Sequence, residues 1–173
     1  MNALSLYTGV GGLDLAALGA GIDVVAMCEG DAYCRTVLRA RFPDVPIYES
    51  DEEVTDDRLR ADGIPSVDLV FGGPPCQPAS AAGKRAGVRD PRWRWGEFLR
   101  IVREVRPRWV VAKQPPGIFS LDSGERWEEI LDTVAQMGYR AGWSCYGADA
   151  VGAPQRRDRL FLVGARVALA SGQ

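Results

Sequence analysis

A cysteine held between prolines is the first place in this sequence where chemistry could sit. In Gly72-Gly73-Pro74-Pro75-Cys76-Gln77-Pro78 the thiol follows an apolar stretch, residues 66–72, that reads as a buried strand. A lone cysteine is most often an inert core residue. Here the prolines exclude helix and regular strand and fix the loop. The cysteine also falls at the carboxyl end of a strand, where open α/β sheets bind ligands. As a nucleophile it needs nearby positive charge to be populated as the thiolate. The chain has no histidine, so that charge falls to arginine or lysine. The same absence excludes Ser-His-Asp and Cys-His mechanisms and histidine-ligated zinc. Cys28, Cys34, Cys76 and Cys145 have neither zinc-knuckle nor C-x-x-C spacing, so no metal site is expected and all four read as free thiols.

Two further segments carry chemistry. Tyr7-Thr8-Gly9-Val10-Gly11-Gly12 follows an apolar run and precedes a helical one. Glycines there permit positive φ and let a ligand approach the backbone closely. Glu29, at the end of the second strand, suits a ribose diol. The pattern fits adenosine-containing cofactors in general, an NAD-type dehydrogenase included, and the plainer alternative is a tight turn with Glu29 capping a helix. The other segment is Gln155-Arg156-Arg157-Asp158-Arg159. If extended, it places Gln155, Arg157 and Arg159 on one face, suited to phosphate or base oxygens; otherwise it is a solvated turn.

These groups need a scaffold, and the apolar pattern supplies one. Strands are expected over 3–7, 23–28, 46–48, 66–72 and 109–112, alternating with helices over 13–18, from Asp31 as cap to about Arg41, 95–105 and around Trp127–Met137. A closing antiparallel pair is expected over 139–148 and 160–163, with a loose tail from Arg166. Alternating strands and helices argue for an α/β domain with a mostly parallel sheet. At 173 residues one domain with a sizeable core is expected. No apolar run reaches bilayer length and no basic leader opens the chain, so a cytoplasmic protein without membrane association is expected.

Charge is unevenly spread. The net charge is −2, yet residues 84–108 hold nine basic groups against three acids, while residues 49–62 hold seven acids against two arginines. A solvated helix face is the plain reading of the basic stripe. Trp93-Arg94-Trp95 within it favours a surface facing phosphates, with indoles able to stack on bases.

Taken in order, LYTGVGGLDLA, CEGD, GGPPCQPAS and APQRRDRLFLVG resemble the DNA (cytosine-5) methyltransferase family, and GKRAGVRDP resembles its mobile catalytic loop. The resemblance runs from about Leu4 to Gly164. It implies a Rossmann-like S-adenosylmethionine-dependent methyltransferase fold, with residues 1–165 as the cofactor-binding catalytic domain. It implies a base flipped from the duplex and Cys76 adding to carbon 6, which makes carbon 5 nucleophilic toward the cofactor methyl. By the same resemblance Tyr7, Gly9, Val10 and Gly12 surround the methionine part of S-adenosylmethionine. Glu29 takes the ribose and Asp51 the adenine amino group. Pro75 lines the pocket beside Cys76, and Arg157 and Arg159 contact the base and its backbone.

Two departures stand out. Where the family has Glu-Asn-Val, this chain has Lys113-Gln114-Pro115. The family's glutamic acid can both donate to and accept from cytosine, whereas a lysine ammonium only donates. Lys113 is one of two lysines against nineteen arginines. It is read either as a working catalytic group, such as a proton donor, or as the mark of an impaired cofactor- or DNA-binding regulatory module. The second departure is that the family's target recognition region and returning helix have no counterpart after Gly164. A separate recognition subunit or a second copy is therefore expected to complete the cleft over DNA or a cytosine nucleotide.

Overall fold

The computed structural model describes residues 1–75 and 93–167. The chain runs β1 (Asn2–Leu6), α1 (Gly12–Gly19), β2 (Asp23–Cys28), α2 (Ala32–Arg41), β3 (Ile47–Tyr48), α3 (Asp56–Ala61), β4 (Leu69–Gly72), α4 (Trp95–Val105), β5 (Trp109–Gln114), α5 (Glu125–Gln136), β6 (Tyr139–Gly147) and β7 (Asp158–Arg166). The strands form one sheet in the order β3-β2-β1-β4-β5-β7-β6. β1 to β5 pair in parallel, while β7 runs antiparallel to both β5 and β6. The expected α/β class with an antiparallel C-terminal edge is what forms.

The central strands are apolar on both faces because helices cover both. One core cluster joins Leu59 of α3, Phe98 and Ile101 of α4 and Ile130 of α5 to the sheet. The other joins Ala17 of α1 and Leu38 of α2 to the opposite face. α2 begins where the sequence puts its cap, with the Cys34 N–H donating to the Asp31 carboxylate at 2.8 Å. Arg166, expected in the tail, is the last residue of β7; its N–H donates to the Arg108 carbonyl, so ladder pairing rather than hydrophobicity ends the strand. Residues 168–173 lie outside the described residues.

Strand order reverses direction between β1 and β4, and open α/β sheets bind ligands at such a switch point. Leu6 pairs with Gly72 there, which sets the glycine turn after β1 beside Gly73-Pro74-Pro75 after β4. The pairing leaves no room for a side chain: a Cβ on Gly72 would lie 2.2 Å from the Leu6 carbonyl oxygen. Gly72→Ala must therefore push β1 from β4. It is expected to cost about 3 kcal/mol, near the upper end for overpacking, read as a lowered denaturation midpoint. An unchanged midpoint contradicts the close approach of β1 and β4 at the switch point.

Candidate active site

The glycine turn is shaped by positive backbone angles. Gly9 has φ 60 and Gly11 φ 85, and a Cβ on Gly11 would strike the Phe42 ring at 2.7 Å. Tyr7, with φ 53, also takes the left-handed conformation, uncommon for a residue with a Cβ. Beneath the turn, the Asp14 carboxylate is fully buried in the first turn of α1, and neither oxygen has a hydrogen-bond partner among the described residues. Burial pushes its carboxyl above the usual range.

Glu29 ties the turn to the end of β2. Its carboxylate accepts from the Gly9 N–H at 2.6 Å and from the Asp31 N–H at 2.8 Å. Asp51, 7% exposed, sits deeper. It accepts from the Tyr7 hydroxyl at 2.7 Å, from Arg94 Nε at 2.8 Å and from a second Arg94 N–H. Burial by itself would raise the Asp51 carboxyl, but the hydrogen bonds from Arg94 and Tyr7 outweigh it and hold the group below its ordinary value. Burial first, and the Asp51 carboxylate second, push the Tyr7 phenol far above its usual range. Cys28, behind them, is pushed up to about 12 by burial and then by Asp51 and Glu29, so it is a neutral wall rather than a nucleophile.

These groups line one hollow of about 610 Å³, formed by Tyr7, Cys28, Glu29, Gly30, Glu49–Glu52, Gly73–Pro75 and Arg94. A second hollow, about 590 Å³, is lined by Tyr7, Gly9, Val10, Gly12, Gly73, Lys113, Arg157, Arg159 and Phe161, with Thr8 and Leu13. The two share Tyr7 and Gly73, so they form one cleft with an acidic and a basic half. Tyr7, Gly9, Val10, Gly12, Glu29, Asp51, Pro75, Lys113, Arg157 and Arg159, all expected at the site, line it. Cys76 lies outside the described residues, as does the segment GKRAGVRDP that resembles the family's catalytic loop.

Lys113 points into the basic half. Its ammonium would lie 2.8 Å from a Cβ on Gly73, so it crosses the glycine three residues before Cys76. Its neighbour Gln114 is 1% exposed and donates from Nε2 to the Pro74 carbonyl at 2.9 Å, pinning the proline loop to β5. The side-chain amide that the family's asparagine would supply is thus kept, one methylene longer.

Two sequence readings need correction. Trp95 is buried at 1% exposure and meets Phe98 edge-on at 5.5 Å, so it is a core residue and cannot stack on a base. The described part of the basic stripe is not one phosphate-facing surface. Arg94 is bound to Asp51 and Glu52, Arg100 to Glu97 and Glu104, and Arg106 and Arg108 stand between α4 and β5, at the sheet end away from the cleft. The 155–159 segment bends at Pro154-Gln155 before β7, so Arg157 and Arg159 line the cleft without Gln155. Arg94 was missed as a cleft residue: a charge run gives no hint of a partner 43 residues away.

The fold and the two-sided cleft define an α/β protein with an open cleft at its sheet's switch point. The sequence profile described as C-5 cytosine-specific DNA methylase matches residues 1–171, and the chain belongs to that family. It is 35% identical to the type II methyltransferase M.AquIA of Picosynechococcus sp. over 95% of this chain and 71% of that protein. It is 31% identical to M.FnuDI of Fusobacterium nucleatum over 96% of this chain but 47% of that one. Among solved structures, one described as a prophage-encoded DNA modification methyltransferase from E. coli superposes with a TM-score of 0.81 at 26% identity, over 96% of this chain and 47% of that chain. The S. pombe Dnmt2 structure shares the fold at 18% identity and a TM-score of 0.77. No helix among the described residues is long and apolar enough to cross a membrane.

Proposed function

We propose that this chain is the catalytic part of a DNA cytosine-5 methyltransferase, with the adenosine of S-adenosylmethionine in the acidic half of the cleft, its methionine part along the glycine turn toward the basic half, and the target cytosine in the basic half. The division of the cleft at Gly73, three residues before Cys76, carries this reading. Four carboxylates, Glu29, Glu49, Asp51 and Glu52, line the first hollow. That lining suits a nucleoside and disfavours the pyrophosphate of a dinucleotide. The Gly9 N–H is also already engaged by Glu29, which leaves it unavailable to a phosphate. Glu29 retains acceptor capacity for a ribose hydroxyl, and the N-terminus of α1 behind Gly11 and Gly12 suits the cofactor's carboxylate.

S-adenosylmethionine, when bound, supplies an activated methyl group. The remaining steps fall to the chain. Cys76 Sγ bonds to carbon 6 of the cytosine as the carbon 5–carbon 6 double bond opens. Lys113 delivers a proton to ring nitrogen 3, so no net charge builds on the ring. Carbon 5 takes the methyl group. Loss of the carbon 5 proton to water then restores the double bond and expels the Cys76 thiolate, and ring nitrogen 3 returns its proton to Lys113. Arg157 and Arg159 hold the phosphates and base oxygens around the flipped nucleotide.

A further polypeptide segment completes the cleft. Val111 and Val163 pair across β5 and β7 on the sheet face that α1 and α2 cover elsewhere, and Val163 is 40% exposed. Leu15 and Leu18 of α1 are 52% and 47% exposed. These apolar surfaces fit a helix from a separate recognition subunit. Sequence-specific methylation by this chain as a lone monomer would overturn that part.

Calorimetry tests the cofactor half directly. S-adenosylmethionine and S-adenosylhomocysteine are expected to bind and NAD is not. Binding of NAD in preference to both defeats the reading.

A further inference from the structure

Asp51 is the acid that the cofactor reading assigns to the adenine amino group, yet three of its acceptor positions are taken from within. A carboxylate offers about four lone-pair sites. Arg94 takes one on each oxygen in a forked pair and the Tyr7 hydroxyl takes a third. Arg94 reaches Glu52 as well, at 3.2 Å, and lines the same hollow as Asp51. Forked arginine–carboxylate pairs are among the stronger hydrogen-bonded contacts. This one also lies where an adenine would have to dock.

We propose that Arg94 is an internal occupant of the adenine subsite and thereby sets the affinity of the cleft for adenosine ligands. The inference rests on the cofactor reading. Ligand binding exchanges an Arg94 hydrogen bond at Asp51 for the exocyclic N–H of adenine. The Arg94 side chain is 27% exposed and Glu52 72%, so the guanidinium can turn toward Glu52 and water while keeping one partner. Each binding event must offset the broken fork, which lowers the apparent affinity as any competing internal state does. Removing the arginine leaves the buried Asp51 with Tyr7 as its one side-chain donor among the described residues, which destabilises the ligand-free protein. The same change removes the competitor, so stability and affinity move in opposite directions. A purely structural residue would lower both together.

The test compares the wild-type chain with Arg94→Met, which keeps length and apolar stem but has no donor, and with Arg94→Lys, which cannot form the fork. Thermal unfolding without ligand is read beside calorimetric binding of S-adenosylhomocysteine, 5′-methylthioadenosine and L-methionine. Arg94→Met is expected to melt lower and to bind both adenosine compounds about 10-fold more tightly. L-methionine, which cannot reach Asp51, should gain nothing. Arg94→Lys should show a smaller gain of the same sign and serves as the test if Arg94→Met does not fold. Equal or weaker adenosine binding by the variants overturns the inference and leaves the cofactor reading standing. Failure of the wild-type chain to bind any adenosine compound overturns the cofactor reading and this inference with it.

Discussion

Cys76→Ser is expected to lower methyl transfer to DNA by at least about 1000-fold, the scale on which enzymes lose activity with their nucleophile. Serine keeps the size and the hydrogen-bonding capacity of the position. Its hydroxyl is far less ionised and less nucleophilic at neutral pH, so the bond to carbon 6 does not form and carbon 5 is never activated. The cofactor half of the cleft is built from residues at or just past the ends of β1, β2, β3 and β4 and from Arg94 before α4, and the thiol is not among its groups. Binding of S-adenosylhomocysteine should therefore be unchanged. That split between lost turnover and retained binding separates a chemical role from a structural one. A serine variant with more than a tenth of wild-type turnover would show that catalysis does not run through this thiol.

Lys113→Met is expected to reduce kcat/KM for DNA by about 100-fold, the lower end of what a positioned proton donor contributes. The side chain belongs to the basic half of the cleft, against Gly73 and with Arg157 and Arg159, so the loss should fall on base chemistry rather than on cofactor binding. Lys113→Arg separates charge from proton transfer. An arginine keeps the positive charge but does not give up its proton in the working pH range. Its turnover should stay near that of Lys113→Met. Lys113→Glu bears on the competing reading. If the lysine marks an impaired module, glutamic acid should raise activity; if the lysine is the proton donor, activity falls. A gain on Lys113→Glu would assign this chain to cofactor or DNA binding without turnover.

Much of the scaffold was legible in the sequence because its signals are local. Phe98, Ile101, Val102 and Val105 at helical spacing mark α4 over the same residues the structure shows, and the apolar run 23–28 is β2 to the residue. Asp31 as a cap was legible for the same reason. The short α3 was not. It buries only Leu59, so it has almost no apolar period, and its one clear signal is Thr55 capping ahead of Asp56 and Asp57. β7 outruns its apolar stretch because pairing with β5 and β6 continues where the hydrophobic pattern stops.

The site was legible as a set of motifs, not as a network. The glycine turn, Glu29 and the two arginines were read from their type and place, Asp51 and Lys113 from the family resemblance, and the switch point between β1 and β4 is what collects them. The contacts among them were not readable. Arg94 and Trp95 are neighbours in a basic, aromatic run, yet one binds Asp51 across the cleft and the other is buried against Phe98. Composition gave both the same meaning; packing gave them opposite ones. Gln114 likewise looked like part of a degraded motif, and the structure shows a buried amide holding the Pro74 carbonyl.

The central claim is that the two halves of the cleft meet in one reaction. It is tested most directly by incubating the chain, with its recognition subunit where one is required, with duplex DNA and S-adenosylmethionine labelled in the methyl group. The DNA is then digested and its nucleosides analysed by mass. The label is predicted in 5-methylcytosine, and it is lost when Cys76 is replaced. Label on the exocyclic nitrogen of cytosine or on adenine, or none in DNA while the cofactor binds, would contradict the claim.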